Sequence, residues 1–191
     1  MKTTLKFLTC LFITGMIVSC SSDDDTPPPV NQEEVITTMT AVFTPQGGGT
    51  AVTLRIQDLD GDGPDAPVLT ESGPFASGTV YNGTVQFLNE LETPADNITL
   101  EVAEEALEHQ VFYSVTNNLG TFNYTDMDSD GNPLGLTFTF ETPVIIAPMA
   151  GDLTIVLRHE PNKDAAGVSD GDITNAGGET DIEATFDVSV E

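Results

Sequence analysis

The chain has 191 residues, of which 39% are hydrophobic and 19% charged, so it can bury the core of one domain and is not a disordered polypeptide. Five basic residues stand against 31 acidic residues, which gives a net charge of −26. Such a chain lacks the basic patch that nucleic acid or an anionic membrane surface requires, and its field attracts cations.

The first twenty residues have the pattern of a secretory signal. Lys2 and Lys6 precede a short apolar run that ends near Val18, too short for a membrane-spanning helix. The run closes on IVSC at 17–20, which resembles a bacterial lipobox, where cleavage occurs before a cysteine that is then acylated. We predict a signal peptide over 1–19 and lipidation at Cys20. The alternative is an ordinary signal peptide with a cysteine placed there by chance.

Residues 20–34 are acidic and rich in serine and proline, which predicts an extended tether rather than part of a core. Three aspartates at 23–25 resemble the acidic export signal of Bacteroidetes surface lipoproteins. The predicted location is therefore the outer membrane, on the cell surface or on the periplasmic face. Cys10 would leave with the signal and Cys20 would carry lipid, so disulfides and thiolate sites are excluded from the mature domain.

Residues 35–191 are predicted to form a single all-β domain, an antiparallel β-sandwich of about 7–9 strands. Alternating apolar residues bounded by Gly and Pro turns mark its strands. The predicted strands cover 35–43, 52–56, 79–88, 111–116, 121–125, 135–141, 152–159 and 181–190.

One segment breaks the strand pattern. Residues 99–110 (TLEVAEEALEHQ) contain helix formers and predict a short helix that carries Glu105 and His109 on adjacent turns. A weak repeat also recurs at a spacing of about 70 residues: two apolar residues, then D-x-D-x-D-G, then a further strand. It indicates a possible internal duplication, with chance similarity as the alternative.

The two D-x-D-x-D-G loops are candidate calcium sites, because alternate carboxylates in a tight turn can converge on one cation. The residues are Asp58, Asp60 and Asp62 in the first loop, and Asp126, Asp128 and Asp130 in the second. Strands flank both loops and neither has the closing glutamate of an EF-hand. The alternative is a pair of solvated turns, in which Asp and Gly are favoured anyway.

The only histidines, His109 and His159, each have acidic neighbours. We predict that they could share one metal site with Glu105 and Glu160, since two imidazoles and carboxylates suit Zn²⁺ and also accept Cu²⁺ or Ni²⁺. Two unrelated surface histidines, or a haem iron held between them, are the alternatives.

Three stretches resemble a family of small lipoproteins from flavobacteria and other Bacteroidetes, with unassigned function: EEALEHQVFY at 104–113, LRHEPNK at 157–163 and GDITNAGGETDIEATFDV at 171–188. Such proteins are often labelled "type 1 periplasmic-binding fold", which implies an α/β sandwich with many helices. The resemblance also implies association with a TonB-dependent outer-membrane receptor.

These features together predict a non-enzymatic lipoprotein that binds a metal ion or another small ligand, for delivery to such a receptor. The alternative is a calcium-stabilised structural or adhesive surface module with no transported ligand. An enzyme is disfavoured because the mature chain has no thiol, and because histidine with glutamate alone is too common to name a reaction. Glycan binding is disfavoured because the chain has no Trp and only three Tyr.

Overall fold

The structure, a computed structural model, describes residues 34–61 and 63–191. The predicted signal peptide, Cys20, most of the tether and Asp62 lie outside the described residues. None of the helices in the described part of the chain is long and apolar enough to cross a membrane.

The described chain forms nine strands, one α-helix and two short 3-10 turns. In chain order the regular elements are β1 (Thr38–Pro45), β2 (Val52–Gln57), β3 (Val68–Glu71), β4 (Val80–Leu88), α1 (Ile98–Glu104), β5 (His109–Val115), β6 (Thr121–Tyr124), β7 (Thr137–Glu141), β8 (Met149–His159) and β9 (Glu179–Val190). The strands make two antiparallel sheets, one of six strands in the order β3-β2-β1-β4-β7-β6 and one of three in the order β5-β8-β9. The predicted all-β sandwich is confirmed.

The two sheets share one apolar core, because each strand turns alternate side chains inwards. Met39 and Phe43 of β1 and Phe138 of β7 face inwards from the large sheet. Leu153 of β8 and Phe186 of β9 face them from the small sheet, and all five side chains are buried. Burying a Phe or Leu side chain contributes about 1.5–3 kcal/mol, so this alternation is the main source of stability.

A second, smaller apolar layer covers the outer face of the small sheet. Phe112 and Val156 point away from the main core and pack against Val168 and Ala176 of the long connection between β8 and β9. That connection contains the two 3-10 turns, Val168–Asp170 and Ile173–Asn175. It therefore lies against the sheet instead of extending into solvent.

The predicted helix is shorter than its sequence pattern. It begins at Ile98 and ends at Glu104, and the chain then turns so that His109 is the first residue of β5. The bend follows because Val111 and Tyr113 are drawn into the core at a strand spacing, which overrides the helix propensity of the glutamates before them. The α/β sandwich implied by the label of the resembling family is not what the described chain forms.

The weak repeat corresponds to two similar hairpins and extends no further. The pairs β2–β3 and β6–β7 are antiparallel and each contains one acidic loop. The strands that follow differ, because β4 lies in the large sheet whereas β8 lies in the small one. A single symmetry operation cannot relate the two hairpins and also relate β4 to β8. The strand pairing therefore does not support the predicted duplication.

Candidate metal site

The two histidines lie side by side at one end of the sandwich interior. His109 and His159 are directly paired across β5 and β8, and their rings are stacked with centroids 4.7 Å apart and planes inclined by 16°. Both face the core side because Val111 and Leu157, each two residues away from its histidine along the strand, are core residues. Both are buried, with exposures of 0% and 4%. The prediction that the two histidines come together is therefore confirmed in its geometry.

The turn after α1 fixes the orientation of the His109 ring. Glu105 closes the helix, and its backbone carbonyl lies 3.2 Å from Nδ1 of His109. A carbonyl only accepts hydrogen bonds, so Nδ1 donates, and in the neutral ring the free lone pair is on Nε2. This arrangement, with one ring nitrogen donating to a carbonyl and the other open, is typical of metal-binding histidines.

Two carboxylates complete a cluster around the histidines. Oε1 of Glu34 lies 3.3 Å from Nε2 of His109. Asp181 lies 3.9 Å from Nε2 of His109 and 3.8 Å from Nδ1 of His159, through its two carboxylate oxygens. The side chains of Glu34 and Asp181 are 6% and 0% exposed. We call Glu34, His109, His159 and Asp181 the buried cluster.

A β-bulge places Asp181 in the buried cluster. Leu157 of β8 pairs with Ile182, but the next residue, Arg158, pairs with Thr180, so Asp181 is the extra residue of the bulge. Strict alternation would put Asp181 on the outer face, since its neighbour Ile182 packs against the core. Bulges re-aim side chains, and here the bulge lets two consecutive residues serve the interior.

The basic residues that the structure describes have hydrogen-bond or ion-pair partners outside the buried cluster. Of the basic residues that the structure describes, Arg55 pairs with Glu90 at 3.2 Å and Lys163 pairs with Asp128 at 2.9 Å. Arg158 donates to Thr180 Oγ1 and to the carbonyl of Gly178. Buried carboxylates require a positive partner or a proton, and the two imidazoles or a bound cation can supply it.

The donor set fits a divalent transition metal. One ligand atom from each of the four side chains lies within 4.8 Å of the other three. Zn²⁺ binds His nitrogen and carboxylate oxygen at roughly 2.0–2.2 Å in tetrahedral geometry, so the four atoms must draw together on binding. The lone pairs of imidazole nitrogens lie in the ring plane, and two nearly parallel ring planes with centroids 4.7 Å apart cannot both contain one ion. We therefore expect one imidazole to rotate out of the stack when a metal binds.

The predicted ligands Glu105 and Glu160 lie outside the buried cluster. Glu105 contacts His109 through its backbone carbonyl and its side chain is exposed, because the helix that would have aimed its carboxylate at His109 has already ended. Glu160 is exposed and falls in a second group with Glu108 and His159, whose ligand atoms also lie within 4.8 Å of one another. We call Glu108, His159 and Glu160 the rim triad.

Sequence reasoning missed Glu34 and Asp181. Glu34 ends the acidic segment that was predicted to be a tether. Asp181 follows a run of glycine and acidic residues before an otherwise regular strand. The signal in the sequence was indirect: the pair Gly177-Gly178 just before the last strand indicates an irregular entry to it. In the structure these two residues have φ values of +61° and +69°.

The first acidic loop is a turn held by its own aspartates. Oδ1 of Asp58 accepts hydrogen bonds from the backbone N–H groups of Asp60 and Gly61, and Oδ2 of Asp60 accepts from Asp65. Its third predicted ligand, Asp62, lies outside the described residues, so calcium binding here stays a prediction.

The second acidic loop is built around a lysine. Lys163 is 6% exposed and its Nζ donates to Oδ2 of Asp128 at 2.9 Å and to the carbonyls of Ala106 and Pro133 at 2.6 and 3.2 Å. Burial alone would raise the pKa of the Asp128 carboxyl. The hydrogen bonds from Lys163 and from the backbone of Asn132 and Asp130 outweigh that effect, and the pKa lies below its usual value.

The remaining carboxylates of this loop do not converge on a common point. Both oxygens of Asp126 accept backbone hydrogen bonds, from Gly135 and Thr137, while Asp130 is exposed. Lys163 supplies positive charge to Asp128, one member of the predicted calcium set Asp126, Asp128 and Asp130, and calcium binding at this loop stays a prediction.

Comparisons of the chain with family models, with curated proteins and with solved structures give no match.

Proposed function

We propose that this protein is an outer-membrane lipoprotein that binds a divalent transition metal ion in the buried cluster and delivers it to a TonB-dependent uptake receptor. One observation supports metal binding above the others. Nε2 of His109 and Oε2 of Glu34 are both buried, and neither forms a hydrogen bond with any described residue. Buried polar atoms are almost always satisfied, so two such atoms in one cluster suggest a ligand.

Zn²⁺ is the ion that the donor set fits best. Two neutral imidazoles and two carboxylates around a divalent ion give a neutral assembly, in which the ion balances the charge of the two buried acids. Cu²⁺ and Ni²⁺ also accept imidazole nitrogen, whereas Ca²⁺ prefers six to eight oxygen ligands. Competition between these metals in vitro should therefore rank Ca²⁺ last.

Delivery to a receptor is supported by the lipobox-like Cys20 and by the family resemblance described above. A second candidate function follows from the burial of the site. A metal ion enclosed this fully could serve as a structural staple of a surface module, in the way that structural zinc sites stabilise small domains. The rate of metal exchange separates the two functions, because a delivery protein must release its ion within the lifetime of a receptor encounter.

The binding test uses the mature chain with Cys20→Ala, which removes the anchor. We expect about one Zn²⁺ per chain by elemental analysis and by calorimetric titration. Asp181→Asn should weaken binding by roughly tenfold or more, since lesser changes around metal ligands already reach 10–100-fold. Asp187→Asn is the matched control, because Asp187 is an exposed residue of the same strand and loses the same charge.

Two results would contradict the proposal. One is a wild-type chain that neither carries metal nor takes up Zn²⁺ at micromolar concentrations. The other is equal binding by the Asp181→Asn and Asp187→Asn variants, which would place the ion outside the buried cluster. A tightly bound ion that exchanges only on unfolding would favour the structural staple over delivery.

A further inference from the structure

We propose that the rim triad is a second metal position, through which an ion enters and leaves the buried cluster. This inference deepens the proposed function but depends on different residues, because Glu108 and Glu160 are not members of the buried cluster. His159 belongs to both groups. An ion held at the rim is therefore already in contact with one ligand of the buried cluster.

The pairing of β5 and β8 brings the rim triad together. Because His109 is paired with His159, the residue before His109 and the residue after His159 lie next to each other at the end of the same strand pair. Those residues are Glu108 and Glu160, and the backbone N–H of Glu160 donates to the carbonyl of Glu108 at 2.6 Å. Both glutamates are exposed whereas His159 is buried, so the triad connects solvent to the interior.

The backbone at the rim includes one non-glycine residue in the left-handed region. Glu160 has φ +49°, in the left-handed region that non-glycine residues rarely adopt. Gly178, with φ +69°, packs against this point so closely that a Cβ atom there would lie 2.2 Å from the carbonyl oxygen of His159. Strained residues held by their surroundings concentrate at functional sites.

The chemistry of the rim triad suits a transient position. One imidazole and two exposed carboxylates offer three protein ligands and leave room for water, the pattern of open zinc sites, whereas the buried cluster offers four. The ion should thus be held more weakly at the rim than inside. Such an arrangement lets the ion exchange its water for protein ligands in steps.

The equilibrium test removes the two acids of the buried cluster with the near-isosteric pair Glu34→Gln and Asp181→Asn. Titrated with Zn²⁺ alone, this background should retain one weak position. Adding Glu108→Gln and Glu160→Gln should weaken that residual binding by roughly tenfold or more. Adding Glu104→Gln and Glu105→Gln instead is the matched control, since these exposed glutamates carry the same charge near the same turn but belong to neither group.

The kinetic test uses the otherwise unaltered buried cluster, so it does not depend on whether that background folds. Stopped-flow loading of Zn²⁺, followed by a competing chromophoric chelator, should slow by roughly tenfold in the Glu108→Gln, Glu160→Gln variant, within the range of electrostatic effects on association rates. The Glu104→Gln, Glu105→Gln control should load at the wild-type rate.

The outcomes separate the two proposals. Equal residual binding and equal loading in the rim and control variants would overturn the rim position and leave the buried site intact. Weak wild-type binding that depends on Glu108 and Glu160 but not on Glu34 and Asp181 would overturn the buried site and retain the rim position. Absence of Zn²⁺ binding in every variant would overturn both.

Discussion

Replacing Lys163 with Met tests whether an internal ammonium organises the second acidic loop. The change leaves the Asp128 carboxylate, whose side chain is 0% exposed, without its charged partner. Removing one member of a buried ion pair costs roughly 3–5 kcal/mol. A surface cavity of about 240 Å³ borders both side chains and can admit water to the stranded carboxylate. We therefore expect the lower end of that range, about 3 kcal/mol.

That loss corresponds to a fall in melting temperature of roughly 6–12 °C for a domain of this size. Chemical denaturation of the Cys20→Ala chain, monitored by circular dichroism, gives the free energy of unfolding directly. Asp128→Asn combined with Lys163→Met should recover most of the loss, because no unpaired charge remains. Arg55→Met is the matched control, since its ion pair with Glu90 is about one-third exposed and such pairs contribute about 0–1 kcal/mol.

Two results would refute this reasoning. One is a Lys163→Met variant no less stable than Arg55→Met. The other is a wild-type chain that gains stability from added calcium and loses that gain on Asp130→Asn, which would show that the loop holds calcium despite the lysine.

Further predictions concern the anchor, acid stability and the rim. Cys20→Ala should abolish labelling by a fatty-acid analogue and release the protein in soluble form; labelling that persists would exclude lipidation at this residue. Because the folded-state pKa of Asp128 is lowered, its contribution to stability is present above the ordinary aspartate pKa of about 4 and is lost as pH falls through the folded-state value. The pH dependence of unfolding below about pH 4 should therefore be shallower in Asp128→Asn, and an unchanged slope would contradict the assignment. Gly178→Ala should both destabilise the chain and weaken Zn²⁺ binding, because the new Cβ meets the His159 carbonyl; unchanged denaturation and titration curves would argue against a tight rim.

The fold was largely predictable because its strands are amphipathic. In β9 every second residue from Ala184 to Val190 is buried, as the alternation of the sequence indicates. The prediction missed β3, whose four residues are all exposed, so burial imposes no period on them. The prediction extended α1 too far because helix propensity takes no account of the burial of Val111 in the core, which requires a strand there.

The site was predictable only in part. The two histidines could be paired from composition, since the chain has no others. Their carboxylate partners could not, because 31 acidic residues offer too many candidates and local spacing favours near neighbours such as Glu105 and Glu160. Asp181 reaches the histidines through a bulge in β9, and Glu34 reaches them from the segment before β1, so both depend on contacts distant in sequence.

Asp181 is a ligand of the buried cluster only because of the bulge in β9. Its position therefore depends on the number of residues before Ile182 as well as on which residue stands there. Deleting one residue between Glu179 and Ile182 would restore an unbroken register with β8 while leaving Ile182 and the core residues after it in place. A sandwich of this kind could therefore gain or lose its acidic ligand through a single-codon insertion or deletion, with no repacking of the interior. Among relatives of this chain, the number of residues between the positions of Glu179 and Ile182 should then predict metal binding better than overall sequence identity does.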